Sequence, residues 1–164
     1  FVSGFAKVGG STVSISLNGV QQYQRAMEGA TAEVFADSQR ASTLIGCTPS
    51  TSSDTACFKS FIQRFGRLAW RRALTVQEVD REVALVTSLT SLFGNTTDAL
   101  RSVTNALLLS PNFLYRLQRG AADPSSKFFR YTGYETASRL SYFLTNNAPD
   151  DALLSAAEHG TLDT

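Results

Sequence analysis

Lysine is nearly absent from this chain: Lys7, Lys59 and Lys127 are the three present in 164 residues, and the other twelve cationic side chains are arginines. With 14 acidic residues against those 15 cations the formal net charge is +1. Electrostatic capture of nucleic acid or of an anionic membrane needs many unpaired cations on one face, and this balance argues against both. Charged residues make up only 18% of the chain, below the usual quarter or so, and serine and threonine take their place. Histidine is scarcer still. His159 stands alone, so a zinc site lacks partners and a Ser-His-Asp arrangement would hang on one residue.

The two cysteines, Cys47 and Cys57, lie outside any Cys-x-x-Cys-His context, which excludes covalent c-type haem attachment. No hydrophobic run is long enough to span a membrane, and no signal peptide or initiator methionine is found. The chain opens on Phe1-Val-Ser-Gly and stops at Thr164 just after a helical pattern, so it reads as a mature or proteolysed piece of a larger protein. No internal repeat or low-complexity segment appears.

What is present begins with the cysteines themselves. They bracket a Pro/Ser/Thr loop, CTPSTSSDTAC. Two unrelated buried thiols are one reading and a disulfide staple is the other; the loop composition favours the staple. Closing so short a loop stabilises by about 2–3 kcal/mol and implies an oxidising compartment. Asn95-Thr96-Thr97 also fits a glycosylation acceptor.

Helical periodicity dominates from residue 17 onward. Residues 1–16 are Gly- and Ser-rich and read as irregular. Ser16 can cap a helix from about Leu17 to Asp37 with Val20, Tyr23, Met27, Ala30, Val34 and Ala41 on its apolar face. A loop over residues 42–53 follows. Asp54 caps the best-patterned helix, to Arg72, in which Phe58, Phe61, Ile62, Phe65, Leu68 and Ala69 form one stripe. A helical wheel puts Arg64, Arg67 and Arg71 opposite that stripe, where cations complement the dipole of the helix end.

Thr75-Val-Gln-Glu78 is a capping box opening a helix from Val76 to Phe93, with two apolar stripes suited to two neighbours. Thr96 or Thr97 caps the next helix, which runs to Ser110 and is ended by Pro111. A short helix over Phe113 to Arg119 and an exposed loop over residues 120–126 are expected next. A second capping box, Thr132-Gly-Tyr-Glu135, starts a helix to about Leu144 whose Ala137, Ser138 and Ser141 permit close helix approach. Pro149 suits the first position of a last helix, with Asp150 and Asp151 at its N-terminal dipole and His159-Gly160 at its end.

Three segments carry a resemblance. FGRLAWRRALT (65–75) looks like an FGRRAFRRPLT signature, ALLLSPNFLYR (106–116) like ALLxSPxFLYR, and YETASRLSYFL (134–144) with PDDALL (149–154) like YELASRLSYFLW and PDDELL. In order and spacing these resemble adjoining domains of unknown function in large secreted proteins of planctomycetes and myxobacteria, often beside a c-type cytochrome domain. Ala73, Thr136 and Thr145 replace the proline, aliphatic residue and tryptophan of the pattern without removing a chemical group. The resemblance implies a helical scaffold outside the cytoplasm and carries no catalytic residue over.

Candidate chemistry is correspondingly thin. Met27 and His159 are the conceivable non-covalent haem ligands, but a lone histidine near a helix end suits a dipole role. Asp150 and Asp151 are adjacent on a helix, so their side chains diverge. Arg71, Arg116 and Arg139 lie in the motifs beside the aromatics Tyr115 and Tyr142; they either line a groove for an anionic or carbohydrate ligand or tie helices together through Glu78, Glu82, Glu135 or Asp98. No catalytic residue, metal ligand or cofactor is assigned.

The expectation is an all-α, mostly antiparallel bundle of about six or seven helices with an irregular N-terminal segment. It divides into 1–56, an N-terminal segment, helix and disulfide loop; 57–120, a helical domain; and 121–164, the start of a second. The function expected is an extracytoplasmic structural or interaction module of a larger secreted protein. Its partners would be the rest of the parent polypeptide or another subunit, a cytochrome-containing one included, with neither nucleic acid nor membrane insertion. The alternative is part of an oxidoreductase or carbohydrate-active enzyme completed by regions outside this chain.

Overall fold

The computed structural model describes residues 16–123, 125 and 127–163; the irregular stretch expected over 1–16 lies, but for Ser16, outside them. The described residues are mostly helical, with eight helices and one small hairpin. Helix α1 is Leu17–Ala36, α2 Ser38–Ile45, α3 Thr55–Trp70, α4 Val76–Phe93, α5 Thr96–Leu109 and α6 Pro111–Leu114. Strands β1 (Ala121–Ala122) and β2 (Phe129–Arg130) pair antiparallel, with Ala121 opposite Arg130, before α7 (Gly133–Thr145) and α8 (Asp151–Glu158).

The caps come largely from the residues that periodicity and capping rules select. Ser16 accepts from the Gly19 amide, Asp54 from Cys57, and both capping boxes, Thr75/Glu78 and Thr132/Glu135, close in both directions. Three ends differ from expectation. Asp37 takes extended backbone angles and ends the first helix where expected, but it also accepts from the Gln39 and Arg40 amides and so opens a separate α2 that takes in Ala41 and the first residues of the expected 42–53 loop. Asn95, rather than Thr96 or Thr97, caps α5, accepting from Thr97. Asp150 caps α8, so Pro149 precedes the helix instead of opening it.

The core forms where α3, α4 and α5 meet. Phe58, Phe61, Ile62, Val79, Val86, Leu100, Val103 and Leu107 are buried there with Ile45 of α2 and Trp70, whose indole N–H donates to the Leu107 carbonyl at 3.1 Å. Leu68 of the expected stripe points out of the core and is exposed, as are Val76, Leu85 and Leu92 of α4. Helix α1 lies on α5, where buried Thr31 donates to Asn105 Oδ1 at 2.9 Å. Its N-terminal half leaves Leu17, Val20 and Tyr23 exposed, so the apolar face expected there is unburied.

Helices α7 and α8 form a hairpin of their own, joined through buried Ala137, Ser141, Leu154 and Ala157. Close approach depends on small residues: a Cβ on Gly133 would stand 2.9 Å from the Ala157 carbonyl oxygen. Arg67 reaches across from α3 to this hairpin, pairing with Asp151 and donating to Ser155 Oγ at 3.1 Å and Glu158 at 3.4 Å.

Candidate functional site

The site begins where Pro111 stops α5 and a single helical turn follows. The expected helix over Phe113 to Arg119 does not form; α6 ends at Leu114 and Tyr115 is extended. The cause is Arg71. Its Nη1 donates to the carbonyls of Ala69 and Phe113 (3.1 and 3.3 Å) and its Nη2 to those of Asn112 and Tyr115 (2.6 and 2.8 Å). A guanidinium bonded to these carbonyls satisfies the end of α6, where further helical turns would otherwise supply amide donors. Arg71 ends up buried, contrary to its place on the wheel, because α3 stops at Trp70 and Arg71 itself adopts φ +56°.

Residues 115–120, without helix or strand, then run beside α7. Glu135, the capping-box acid of α7, accepts the Arg119 amide at 2.6 Å and the Gly120 amide at 3.0 Å through Oε1, and the Thr132 amide at 2.8 Å through Oε2. Desolvation pushes its pKa up, but these backbone donors outweigh that and hold it below the ordinary value. Glu78 plays the equivalent part at α4: a two-oxygen pairing with Arg72, at 2.8 and 2.9 Å, and its capping bonds lower its pKa to about 2.

With the segment so held, an open cleft of about 720 Å³ lies between residues 116–118, Tyr131 and α7. Arg116 stacks on Tyr142 at 4.7 Å and Arg139 on Tyr131 at 4.5 Å. Arg139 also donates to Gln118 Oε1 at 2.9 Å and to the Tyr131 hydroxyl at 3.2 Å. Thr136, Leu140 and Phe143 complete the lining. A second cleft, about 520 Å³, opens beside it over Arg72, Glu78, Asn112, Tyr134 and Ser138.

Of the residues singled out from sequence, Arg116, Arg139 and Tyr142 come together in the larger cleft. Arg71 borders the smaller one with its donors engaged by carbonyls; Tyr115, expected in the groove, lines neither cleft, and its carbonyl is one of those that accept from Arg71. Gln118, Tyr131, Leu140 and Phe143 are additions. Leu140, Phe143 and Leu144 recur at i, i+3 and i+4 as an exposed apolar stripe along one flank of the face that carries Ala137 and Ser141; Leu140 and Leu144 also line a groove beside Leu153 and Ala156 of α8. Among the described residues no group of three or more His, Cys, Asp or Glu side chains is placed to hold a metal. Nor, among the described residues, is any helix long and apolar enough to cross a membrane.

These features define an all-α bundle with a helical hairpin bound to it and an arginine-tyrosine cleft on the hairpin's outer face. Residues 57–117 match the family described as PSD5, protein of unknown function (DUF1595), and residues 131–164 the family described as PSD4, protein of unknown function (DUF1592). The two matched stretches adjoin, with FGRLAWRRALT and ALLLSPNFLYR in the first and YETASRLSYFL in the second. No curated protein and no solved structure matches it.

Proposed function

We propose that this chain is a non-catalytic interaction module in a larger extracytoplasmic protein, with residues 57–120 as its rigid scaffold and 121–164 as the domain that meets a partner. The observation that carries this reading is the outer face of α7. Leu140, Phe143 and Leu144 are exposed, Phe143 at 85%, on a helix whose other face is already buried against α8. A large apolar stripe rimmed by polar residues is the usual mark of an interaction surface. The disulfide between Cys47 and Cys57 supports an oxidising compartment, periplasmic or secreted. The rest of the parent polypeptide or another subunit of a secreted complex, a cytochrome-containing one included, is the kind of partner such a module would hold.

Hydrogen exchange tests the reading directly. Amides of residues 136–145 should exchange more slowly in the full-length parent assembly than in the isolated chain, while those of α3 to α5 change little. Equal exchange of α7 in both would count against an interaction role. A stoichiometric redox cofactor or metal retained by this chain would instead favour the oxidoreductase alternative.

A further inference from the structure

The chemistry of the partner follows from what the α7 face pairs and what it leaves unpaired. Along α7, Thr136, Arg139, Leu140, Phe143 and Leu144 recur at i, i+3, i+4, i+7 and i+8, so they form one continuous stripe. Among the described residues the other arginines, Arg25 and Arg119 excepted, are matched with acceptors that carry charge or the dipole of a helix end. Arg67 and Arg72 pair with carboxylates, and Arg64 and Arg71 with helix-end carbonyls. Arg116 and Arg139 are different. Among the described residues Arg116 is held by the face of Tyr142 alone, and Arg139 by Tyr131 and the neutral Gln118.

Stacking fixes a guanidinium plane and leaves N–H groups along its edge for an acceptor. Glu135, the nearby carboxylate on α7, is committed to the amides of Arg119, Gly120 and Thr132. Two guanidinium groups therefore stand beside an exposed apolar stripe with no acid of their own. A sugar would leave Phe143 and Leu144 unsatisfied, and one face of each cleft tyrosine is already covered by a guanidinium. A net charge of +1 gives no basis for nucleic acid or a lipid surface.

We propose that this cleft receives an acidic amphipathic helix of a partner protein, an inference that rests on the interaction-module reading. The partner's large apolar side chains pack on Leu140, Phe143 and Leu144. Its Asp or Glu residues accept hydrogen bonds from Arg116 and Arg139. An i, i+3, i+4, i+7 stripe on one helix is suited to the matching stripe of another.

The test is calorimetric titration of the intact chain with two designed helical peptides that share a Leu/Phe stripe and differ only in carrying Glu or Lys on its flanks. The Glu peptide should bind about tenfold more tightly, the worth of two partly screened ion pairs. That preference should disappear in the Arg116→Gln/Arg139→Gln double variant and shrink in high salt. Phe143→Ser, a substitution at an exposed position that should leave the circular dichroism and melting temperature unchanged, should weaken both peptides. Equal binding of both peptides, lost in Phe143→Ser, overturns the acidic partner and leaves the docking face standing. Binding of neither peptide overturns the inference, and so does self-association abolished by Phe143→Ser, which would make a second copy the occupant. Equal α7 exchange in the isolated and full-length proteins is the separate result that overturns the module reading itself.

Discussion

Arg71 carries more of the site's geometry than any other single side chain, and it does so without a carboxylate. Four carbonyls accept from it, three of them in residues 112–115, and it is 6% exposed. Replacing it by methionine keeps the apolar length but strands buried acceptors, so Arg71→Met should lower unfolding free energy by about 3 kcal/mol in a urea titration. Arg71→Lys should recover only part, because an ammonium cannot span the same fork of acceptors. The residue was visible in the sequence, but its direction was not: a helical wheel assumes the helix continues, and the left-handed turn at φ +56° swings Arg71 inward. Arg72 and Glu78 make a simpler case. The pairing with Arg72 first, and then the capping bonds to Thr75, depress the Glu78 carboxyl from 4.5 to about 2. A depressed folded pKa stabilises the native state above the unfolded value and loses that contribution as pH falls through the folded one. Glu78→Gln should therefore cost about 1–2 kcal/mol at neutral pH, after allowance for solvent screening. The gap between variant and parent should close between about pH 4.5 and pH 2, as followed by thermal melts across that range.

At the scale of elements, the features that sequence made legible are those with local, reciprocal chemistry. Thr75/Glu78 and Thr132/Glu135 state their helix starts outright, and the stripe from Phe58 to Phe65 states which side of α3 is buried. The end of α1 at Asp37 was legible but helix α2 was hidden, because Ala41 continues the period of the first helix and only the Asp37 side chain's bonds to the Gln39 and Arg40 amides reveal a new N-terminus. The hairpin was hidden for the opposite reason, since two strands of two residues each are too short to show a period. The cysteine staple needed no periodicity at all. Cys47 and Cys57 are bonded, with Cα atoms 5.8 Å apart, and they tie the segment after α2 to the first turn of α3, where Asp54 also receives the Ser50 amide and hydroxyl. Thiol titration of unreduced, denatured protein should find no free thiol. The Cys47→Ser/Cys57→Ser variant should unfold about 2–3 kcal/mol more easily, the entropy of a short closed loop, while keeping its helical circular dichroism because Cys57 sits in the core beside many larger side chains, from Phe58 to Leu107, that remain to hold α3 to α5 together.

For the whole molecule the question is what ties the α7–α8 hairpin to the α3–α5 bundle, and Arg67 supplies a direct polar connection from α3 to α8. Its guanidinium leaves α3 and meets Asp151 at the first position of α8, Ser155 one turn on, and Glu158 at the end. The side chain is 18% exposed whereas Asp151 is 74% exposed, so the arginine is the costly half to remove and the acid the cheap one. An exposed carboxylate is screened by water and contributes little on its own. A largely buried guanidinium that fills the gap between α3 and α8 contributes packing and donates to three acceptors. Substituting Arg67 should therefore loosen the α7–α8 hairpin from the bundle without unfolding the bundle, whose core of Phe58, Val86 and Leu100 lies elsewhere. Native-state hydrogen exchange of Arg67→Met should show residues 133–158 opening about tenfold more often, equivalent to about 1.4 kcal/mol of lost coupling. Amides of α3 to α5 should hold their protection, and limited proteolysis should speed up at the connecting residues 116–122. Asp151→Asn should produce a much smaller change that vanishes at high salt. If both variants instead lowered protection uniformly from α1 to α8, the hairpin and the bundle would be a single cooperative unit, and Arg67 would be one core contact among many.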